Sequence, residues 1–296
     1  MFKKNKEHQM HRFLTRALAW MFALTAMIAM AARADQAEVD ELFTSVQAAV
    51  AAQGLNPVIE IDHARLAAAE GVEMPASRVQ LFSDSAINAS LMLENIRAGL
   101  DLPFRVLAFD QNGSTSLTYT SSAFLSQRHG LTDARALAAF DARLNDLVAH
   151  SERARVAPVP TLDVGPDFGI VELRSRYDVP ETVARLKAAV TAQPDTIWFG
   201  EIDFQVEAAQ LGISLVASRL LLFGGPAPGG VAMAEYPAIG LDAFCQKVFV
   251  YAGDDGNAVV IYNDIAALAK LHYGTSIDPH RMLNKRLRAT FTPATE

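Results

Sequence analysis

A heptapeptide that occurs twice constrains this chain more than any other feature. Ala76-Ser77-Arg78-Val79-Gln80-Leu81-Phe82 returns as Ala217-Ser218-Arg219-Leu220-Leu221-Leu222-Phe223, displaced by 141 positions. The displacement holds without a gap from Ile61-Asp62 to Leu100-Asp101, matched by Ile202-Asp203 to Leu241-Asp242. A run of that length marks a tandem duplication, so one α+β unit is expected to be built twice, each copy able to bury a core.

The order of elements is readable in each copy. Val39, Leu42, Phe43, Val46 and Val50 recur at helical spacing over residues 37–52,. A strand over 58–61 leads to Asp62 as the N-cap of a two-turn helix ending at Gly71. A strand over 78–82, a helix around Leu91, Met92 and Ile96, and a hairpin over 104–110 and 115–120 follow, turning at Asn112-Gly113. A short helix over 123–128 stops at Gly130. The second copy repeats this order: a helix over 179–193 with Pro180 in its first turn, Asp203 and Gly212 around a short helix, a hairpin over 247–251 and 258–262, and Asp264 opening the closing helix.

One difference separates the copies. Residues 169–177 alternate as a strand before the second leading helix, and the counterpart in the first copy falls across residues 29–36. The first unit is therefore expected to lack its opening strand and to leave a sheet edge uncovered. Residues 156–162 are the candidate cover, although Pro158 and Pro160 make them a poor partner. The divisions expected are a leader over 1–34, a first unit over 35–131, a connector over 132–168, a second unit over 169–276 and a basic tail over 277–296. The connector reads as a helix over 133–153 followed by the stiff Ala157-Pro158-Val159-Pro160. The tail reads as an amphipathic helix with Met282, Leu283 and Leu287 on the side that packs on the domain; contact with an anionic surface is the sharper alternative.

The leader has the form of an export signal. Lys3, Lys4, Lys6, Arg12 and Arg16 precede an apolar run over 17–30, and Ala32-Arg33-Ala34 supplies a small-x-small cleavage site,. The apolar run is shorter than the ~20 residues of a membrane span, and no later segment is long and apolar enough for one. A periplasmic location is expected. Removing residues 1–34, with six cations and one acid, takes the formal charge from −7 to −12. That balance argues against nucleic acid as a partner, because phosphate contact needs clustered cations. Cys245 is the single cysteine, which excludes an internal disulfide. At the entry to a strand it reads as a buried, inert thiol, with an intermolecular disulfide or redox role as the alternative.

Phe223-Gly224-Gly225-Pro226, Asp255-Gly256, Tyr262-Asn263-Asp264 and His272 make the second unit resemble the domain-of-unknown-function 302 family. The first unit is similar through Ile61-Asp62-His63-Ala64, Leu100-Asp101-Leu102-Pro103 and His129-Gly130. The resemblance implies a two-layer α+β sandwich and, since single-domain members are dimeric, two copies packed as a pseudo-dimer within one chain. It implies no activity. The copies diverge in complementary ways: Phe82-Ser83-Asp84-Ser85 and Tyr119-Thr120-Ser121 replace family motifs in the first, Asp203-Phe204 and Leu241-Asp242-Ala243-Phe244 in the second.

Asp62 and Asp203 form a candidate pair of catalytic carboxylates, but each sits between strand and helix where an aspartate caps the first amides. His129 and His272 recur near the ends of the closing helices, where the helix dipole favours them. His63, His150 and His280 show no ligand spacing, so a metal role rests on His63, His129 and His272 together. Met92 and Met233 are matched and read as core. Arg78 and Arg219 each open an apolar strand. Glu94 and Glu235 recur as partners for structural ion pairs, and an anion pocket between the units is the alternative. Tyr119 and Tyr262 close the hairpins as core or rim residues. The glycines over 224–230 read as a flexible loop without a phosphate-binding lysine, and no nucleophile elbow, zinc-helix motif or dinucleotide turn is present.

These features point to a non-catalytic binding module taking a small anion or a periplasmic protein between its repeats. Arg78, Arg219, His129, His272, Tyr119 and Tyr262 are its candidate ligand residues. The alternatives are a metal-dependent or redox-related enzyme built on the histidines, and a structural partner in an assembly. The sequence specifies no cofactor.

Overall fold

The structure, a computed structural model, describes residues 36–149, 151 and 154–296. The leader over 1–34, its cleavage site and His150 lie outside the described residues. Residues 36–52 form α1, which the apolar spacing predicts, and Gly54 follows at φ 66°. The rest of the first copy is β1 (Asn56–Asp62), α2 (His63–Ala69), β2 (Ser77–Ser83), α3 (Ser85–Glu94), a 3-10 turn (Ile96–Leu100), β3 (Phe104–Asp110), β4 (Thr115–Tyr119) and α4 (Ser122–His129). The connector gives α5 (Ala134–Val148) and β5 (Arg155–Pro158). The second copy comprises β6 (Ile170–Arg174), α6 (Val179–Thr191), β7 (Ile197–Asp203), α7 (Phe204–Gln210), β8 (Ser218–Gly224), α8 (Pro226–Met233) and a 3-10 turn (Pro237–Leu241). It continues with β9 (Gln246–Ala252), β10 (Ala258–Asn263) and α9 (Ile265–Tyr273), and the tail is α10 (Asp278–Thr295).

Local chemistry fixes the element ends. Asp62 accepts from the Arg65 amide at 2.9 Å and Asp203 from the Val206 amide at 3.0 Å, so both are N-caps,. Asn112 and Gly113 take φ 56° and 76°, the left-handed pair that a two-residue hairpin turn requires,.

The two five-stranded sheets run β1-β2-β3-β4-β5 and β6-β10-β9-β8-β7. Four strands correspond one to one. The edge beside β4 is filled by β5 of the connector, paired parallel with Leu117 opposite Val156, where β6 pairs antiparallel with β10 in the second sheet. The prolines do not prevent this: Pro158 ends an edge strand, and the Val159 amide still donates to the Tyr119 carbonyl at 2.9 Å,. Three expectations change. The connector helix ends at Val148 rather than continuing to 153. The glycine-rich 224–230 segment is not a loop, because Pro226 starts α8 there,. Met282 faces solvent at 69% exposure, and the large apolar side chains that α10 buries are Leu283, Leu287 and Phe291.

The repeats grip each other reciprocally. Helix α2 packs on α8 and its counterpart α7 packs on α3; the first 3-10 turn meets β9 and the second meets β3,. Two matched glycines set that approach. A methyl group on Gly99 would stand 2.3 Å from Phe249 Cζ, and one on Gly240 would stand 3.3 Å from Leu107 Cδ1. Phe249 and Leu107 hold equivalent strand positions, opposite Leu220 and Val79. Strand β3 is buried along its whole length and β9 nearly so, each sheet being covered by its own helices and by the other repeat,. Phe82, Phe104 and Phe140 of α5 stack at 5.3 and 4.3 Å, and Phe291 of α10 sits edge-on to Phe223 and Tyr262 at 6.0 and 5.0 Å,.

Candidate functional site

The ends of the two 3-10 turns bring Asp101 and Asp242 to the middle of the seam. Both follow the repeated Gly-Leu, and their side chains, like those of Arg105, Arg128 and His129, are fully buried. Arg128 Nη1 donates to both oxygens of Asp101 at 2.9 and 2.7 Å, and His129 Nε2 lies 2.7 Å from Oδ2. Arg105 Nη2 donates to Asp101 at 3.2 Å, Thr120 at 3.1 Å and Asp242 at 2.7 Å, so one guanidinium nitrogen ties the carboxylates of both repeats. Arg128 reaches further, through Nε to the Phe168 carbonyl and through Nη2 to Asn263, whose amide donates to the Asp242 carbonyl.

Lys247 enters from the other side. Arg105 pairs with Leu81 and Lys247 with Leu222, the matched position, so the two cations are equivalent although 142 residues apart: the second copy carries one extra residue before β9. Lys247 Nζ stands 3.6 Å from Asp242 and 3.9 Å from Asp101, without a hydrogen-bond partner. Arg105 Nε and Nη1, Asp242 Oδ2, Tyr262 OH and His272 Nε2 are buried and equally unpartnered. Asp242, Lys247, Tyr262 and Asn263 border a cavity of about 10 Å³, walled otherwise by Phe223, Leu287 and Phe291 among others. That is room for one water-sized particle.

The electrostatics follow from burial working against partners. Burial alone would raise the Asp101 carboxyl, but the Arg128 charge and the His129 hydrogen bond hold it well below the usual carboxylate range,. Asp242 is likewise lowered, burial being outweighed by Arg105 and Lys247. Burial pushes the Lys247 ammonium down to about 7, with Arg105 adding to the shift and the two carboxylates opposing it. Burial also lowers His272, against the pull of Asp242.

Of the residues the sequence singles out, His129, His272 and Tyr262 belong to this seam. Tyr119 lies in β4 opposite Val106, half-buried. Arg78 and Arg219 lie elsewhere, and their expected partners are wrong. The antiparallel register sets Asp62 opposite Arg78 and Asp203 opposite Arg219,. Arg78 pairs with Asp40 at 2.8 Å and Asp62 at 3.5 Å, stacked 4.0 Å over Phe43. Arg219 pairs with Asp203 at 2.7 Å and Glu201 at 3.4 Å. Glu94 instead accepts from the Thr132 and Asp133 amides ahead of α5, and Glu235 is exposed. His63, His129 and His272 do not converge: among the described residues no three His, Cys, Asp or Glu side chains are placed to hold one metal ion. Asp101, Arg105, Arg128, Asp242 and Lys247 were not singled out. The signal for them was an aspartate kept at a fixed offset, and a lone cation inside an apolar strand of each hairpin.

A second feature of the seam is open. A groove of about 350 Å³ runs between the end of α3 (Met92, Leu93) with Ile96 of the first 3-10 turn and Leu215, Val216 and Tyr251 of the second copy.

A family model described as Domain of unknown function DUF302 matches residues 30–150 and 171–290. A Fluoride-specific ion channel FluC 1 of Brucella suis biovar 1 (strain 1330) is 33% identical over 108 residues, 36% of this chain and 41% of its own length. Another FluC 1, of Brucella abortus biovar 1 (strain 9-941), is 33% identical over 108 residues, 36% of this chain and 38% of its own length. The match thus spans about two fifths of these curated relatives. A crystal structure of an uncharacterized conserved protein DUF302 from Bacillus stearothermophilus aligns over 98% of its chain and 43% of this one, at 14% identity and a TM-score of 0.35. No described helix is long and apolar enough to cross a membrane. With the family model matching both halves of the sequence, the chain belongs to the DUF302 family and carries two copies of its domain.

Proposed function

We propose that this protein is an exported, non-catalytic binding module in which the two repeats close as an internal dimer around one small inorganic anion. The observation that carries the reading is an imbalance at the seam. Below about pH 7, where Lys247 is protonated, three buried cations, Arg105, Arg128 and Lys247, face two carboxylates, and the Lys247 ammonium and two Arg105 nitrogens have no hydrogen-bond partner. An uncompensated buried charge costs several kcal/mol, and one monovalent anion beside Lys247 offsets it. The cavity there takes a particle no larger than a water molecule,. That suits fluoride and rejects phosphate or a carboxylate. The curated relatives named as fluoride-specific ion channels make fluoride the first ion to test; their name supplies the ion and not a pore. A centre whose charged side chains are all buried favours holding over turnover. Export rests on the basic, apolar and small-residue pattern of 1–34.

The test is thermal unfolding in sodium fluoride against sodium chloride at equal ionic strength, for the wild type and Lys247→Met. Fluoride at 100 times its Kd should stabilise the wild type by about 2.7 kcal/mol and leave Lys247→Met unchanged, with chloride inert on both. An equal response from the two proteins, or none from either, would sink the reading. A second reading, an apolar segment of a partner protein at the seam groove, is favoured by Leu93 and Val216, 59% and 49% exposed on its walls,. Leu93→Glu with Val216→Glu should abolish such capture; retained capture would exclude the groove.

A further inference from the structure

His63 is the first residue of α2, and the reciprocal packing carries it out of its own repeat to the second 3-10 turn. Its Nε2 is buried and has no hydrogen-bond partner. A neutral ring protonated at Nδ1 presents the Nε2 lone pair, the tautomer that a ligating histidine uses. Burial pushes this imidazole down to about 4, so it is neutral across the physiological range. It borders a cavity of about 20 Å³ together with Cys245 and Met233, both from the second repeat. His63 Cδ2 and Met233 Sδ lie 3.3 Å from one point, the place a methyl group on Gly240 would take. The remaining walls include Ile61, Leu66, Phe199 and Phe244, and Cys245 is a free, buried thiol.

We propose that His63 Nε2, Cys245 Sγ and Met233 Sδ form a site for one soft monovalent cation of the Cu(I) class, completed only when the repeats are together. The donor set decides the class. Thiolate, thioether and imidazole select Cu(I) over hard cations, and an apolar cage holds a neutral thiolate–metal pair without buried net charge. Uptake is balanced as Cys–SH plus M⁺ giving Cys–S–M plus H⁺: the S–H bond breaks, the S–M bond forms, one proton leaves and no electron moves. Burial pushes the free thiol up to about 11, so that proton is present on Cys245 before the metal arrives. The seam has only one such set. Phe204 stands where the second copy would need His63, and Met92 alone has a counterpart, Met233. One equivalent per chain is therefore expected. Its cavity is not the one beside Lys247, which neither His63 nor Met233 borders, although the Lys247 and Arg105 charges reach Cys245 and favour its thiolate against burial.

The probe is Ag(I), a redox-inert stand-in for Cu(I), added to the full chain in chloride-free buffer and read by native mass spectrometry, with Cu(I) competition against a bicinchoninate chelator alongside. The wild type should retain one equivalent and release one proton per metal in an unbuffered titration. Cys245→Ser and His63→Gln should each weaken retention at least tenfold, Met233→Leu by less, with far-ultraviolet circular dichroism confirming the fold. No retention by the wild type, or undiminished retention in folded Cys245→Ser, overturns the site. Should Cys245→Ser fail to fold, the wild-type proton count and His63→Gln decide: no proton released, or no loss of affinity, overturns it equally.

Discussion

Replacing Asp101 by asparagine removes a carboxylate from a centre in which cations already outnumber acids. The wild-type carboxylate accepts both bonds from Arg128 Nη1, a third from Arg105, and meets His129 at 2.7 Å, all out of contact with water. Asparagine keeps the shape and one acceptor, but turns an N–H donor toward groups that are donors themselves and leaves Arg128 without a counter-charge. Removing one partner of a buried ion pair costs roughly 3–5 kcal/mol. Four contacts converge on Asp101 and two on Asp242, so Asp101→Asn belongs at the top of that range and Asp242→Asn at the bottom. For a chain of this size the loss corresponds to roughly 6–20 °C in Tm. Urea unfolding at pH 7, followed by circular dichroism and tryptophan fluorescence together, measures it. The double variant Asp101→Asn, Lys247→Met should recover part of the loss, because it removes one surplus cation. A loss below about 1 kcal/mol, or a double variant no better than the single, would refute the view that Asp101 holds the seam by charge.

Further outcomes follow from the same geometry. Because the Asp101 carboxyl is depressed in the fold, its contribution is complete above the ordinary carboxylate pKa near ~4 and is lost as pH falls below it,; urea midpoints should drop between about pH 4 and 2, and less so in Asp101→Asn. Gly99→Ala places a methyl 2.3 Å from Phe249 Cζ and should cost about 1–3 kcal/mol, partly recovered with Phe249→Leu; no loss in Tm would mean that the repeats do not approach there,. The Cys245 thiol, buried and pushed up to about 11, should resist an aromatic disulfide reagent at pH 8 until urea unfolds the chain, and rapid labelling of the native protein would contradict its burial,.

Much of this architecture was legible because local chemistry and global fold agree. The caps Asp62 and Asp203, the stops at Gly71 and Gly130, and the Asn112-Gly113 turn each need only a few neighbouring residues, so their spacing sufficed. The edge strand β5 was harder, since its pairing depends on a connector whose prolines argue locally against a strand and are tolerated only at a sheet edge. The ion pairs of Arg78 and Arg219 escape a comparison of repeat positions because strand register decides them: Asp62 and Asp203 lie directly opposite. The centre itself was nearly visible. Gly-Leu-Asp recurs at a fixed offset, but the one-residue insertion before β9 hid the equivalence of Arg105 and Lys247. Arg128 has no cation at its counterpart, Leu271, and reaches Asp101 only through the fold. Cys245 and Met233 read as inert core one at a time, and only packing between repeats brings His63 beside them.

The most direct test of the anion reading is a ¹⁹F NMR titration of the full chain with sodium fluoride at pH 6.5, beside Lys247→Met. A bound resonance distinct from free fluoride, saturating at one equivalent and missing from Lys247→Met, is the predicted result. A free-fluoride signal unchanged by the wild type across the titration, or a bound signal that survives Lys247→Met, would contradict it.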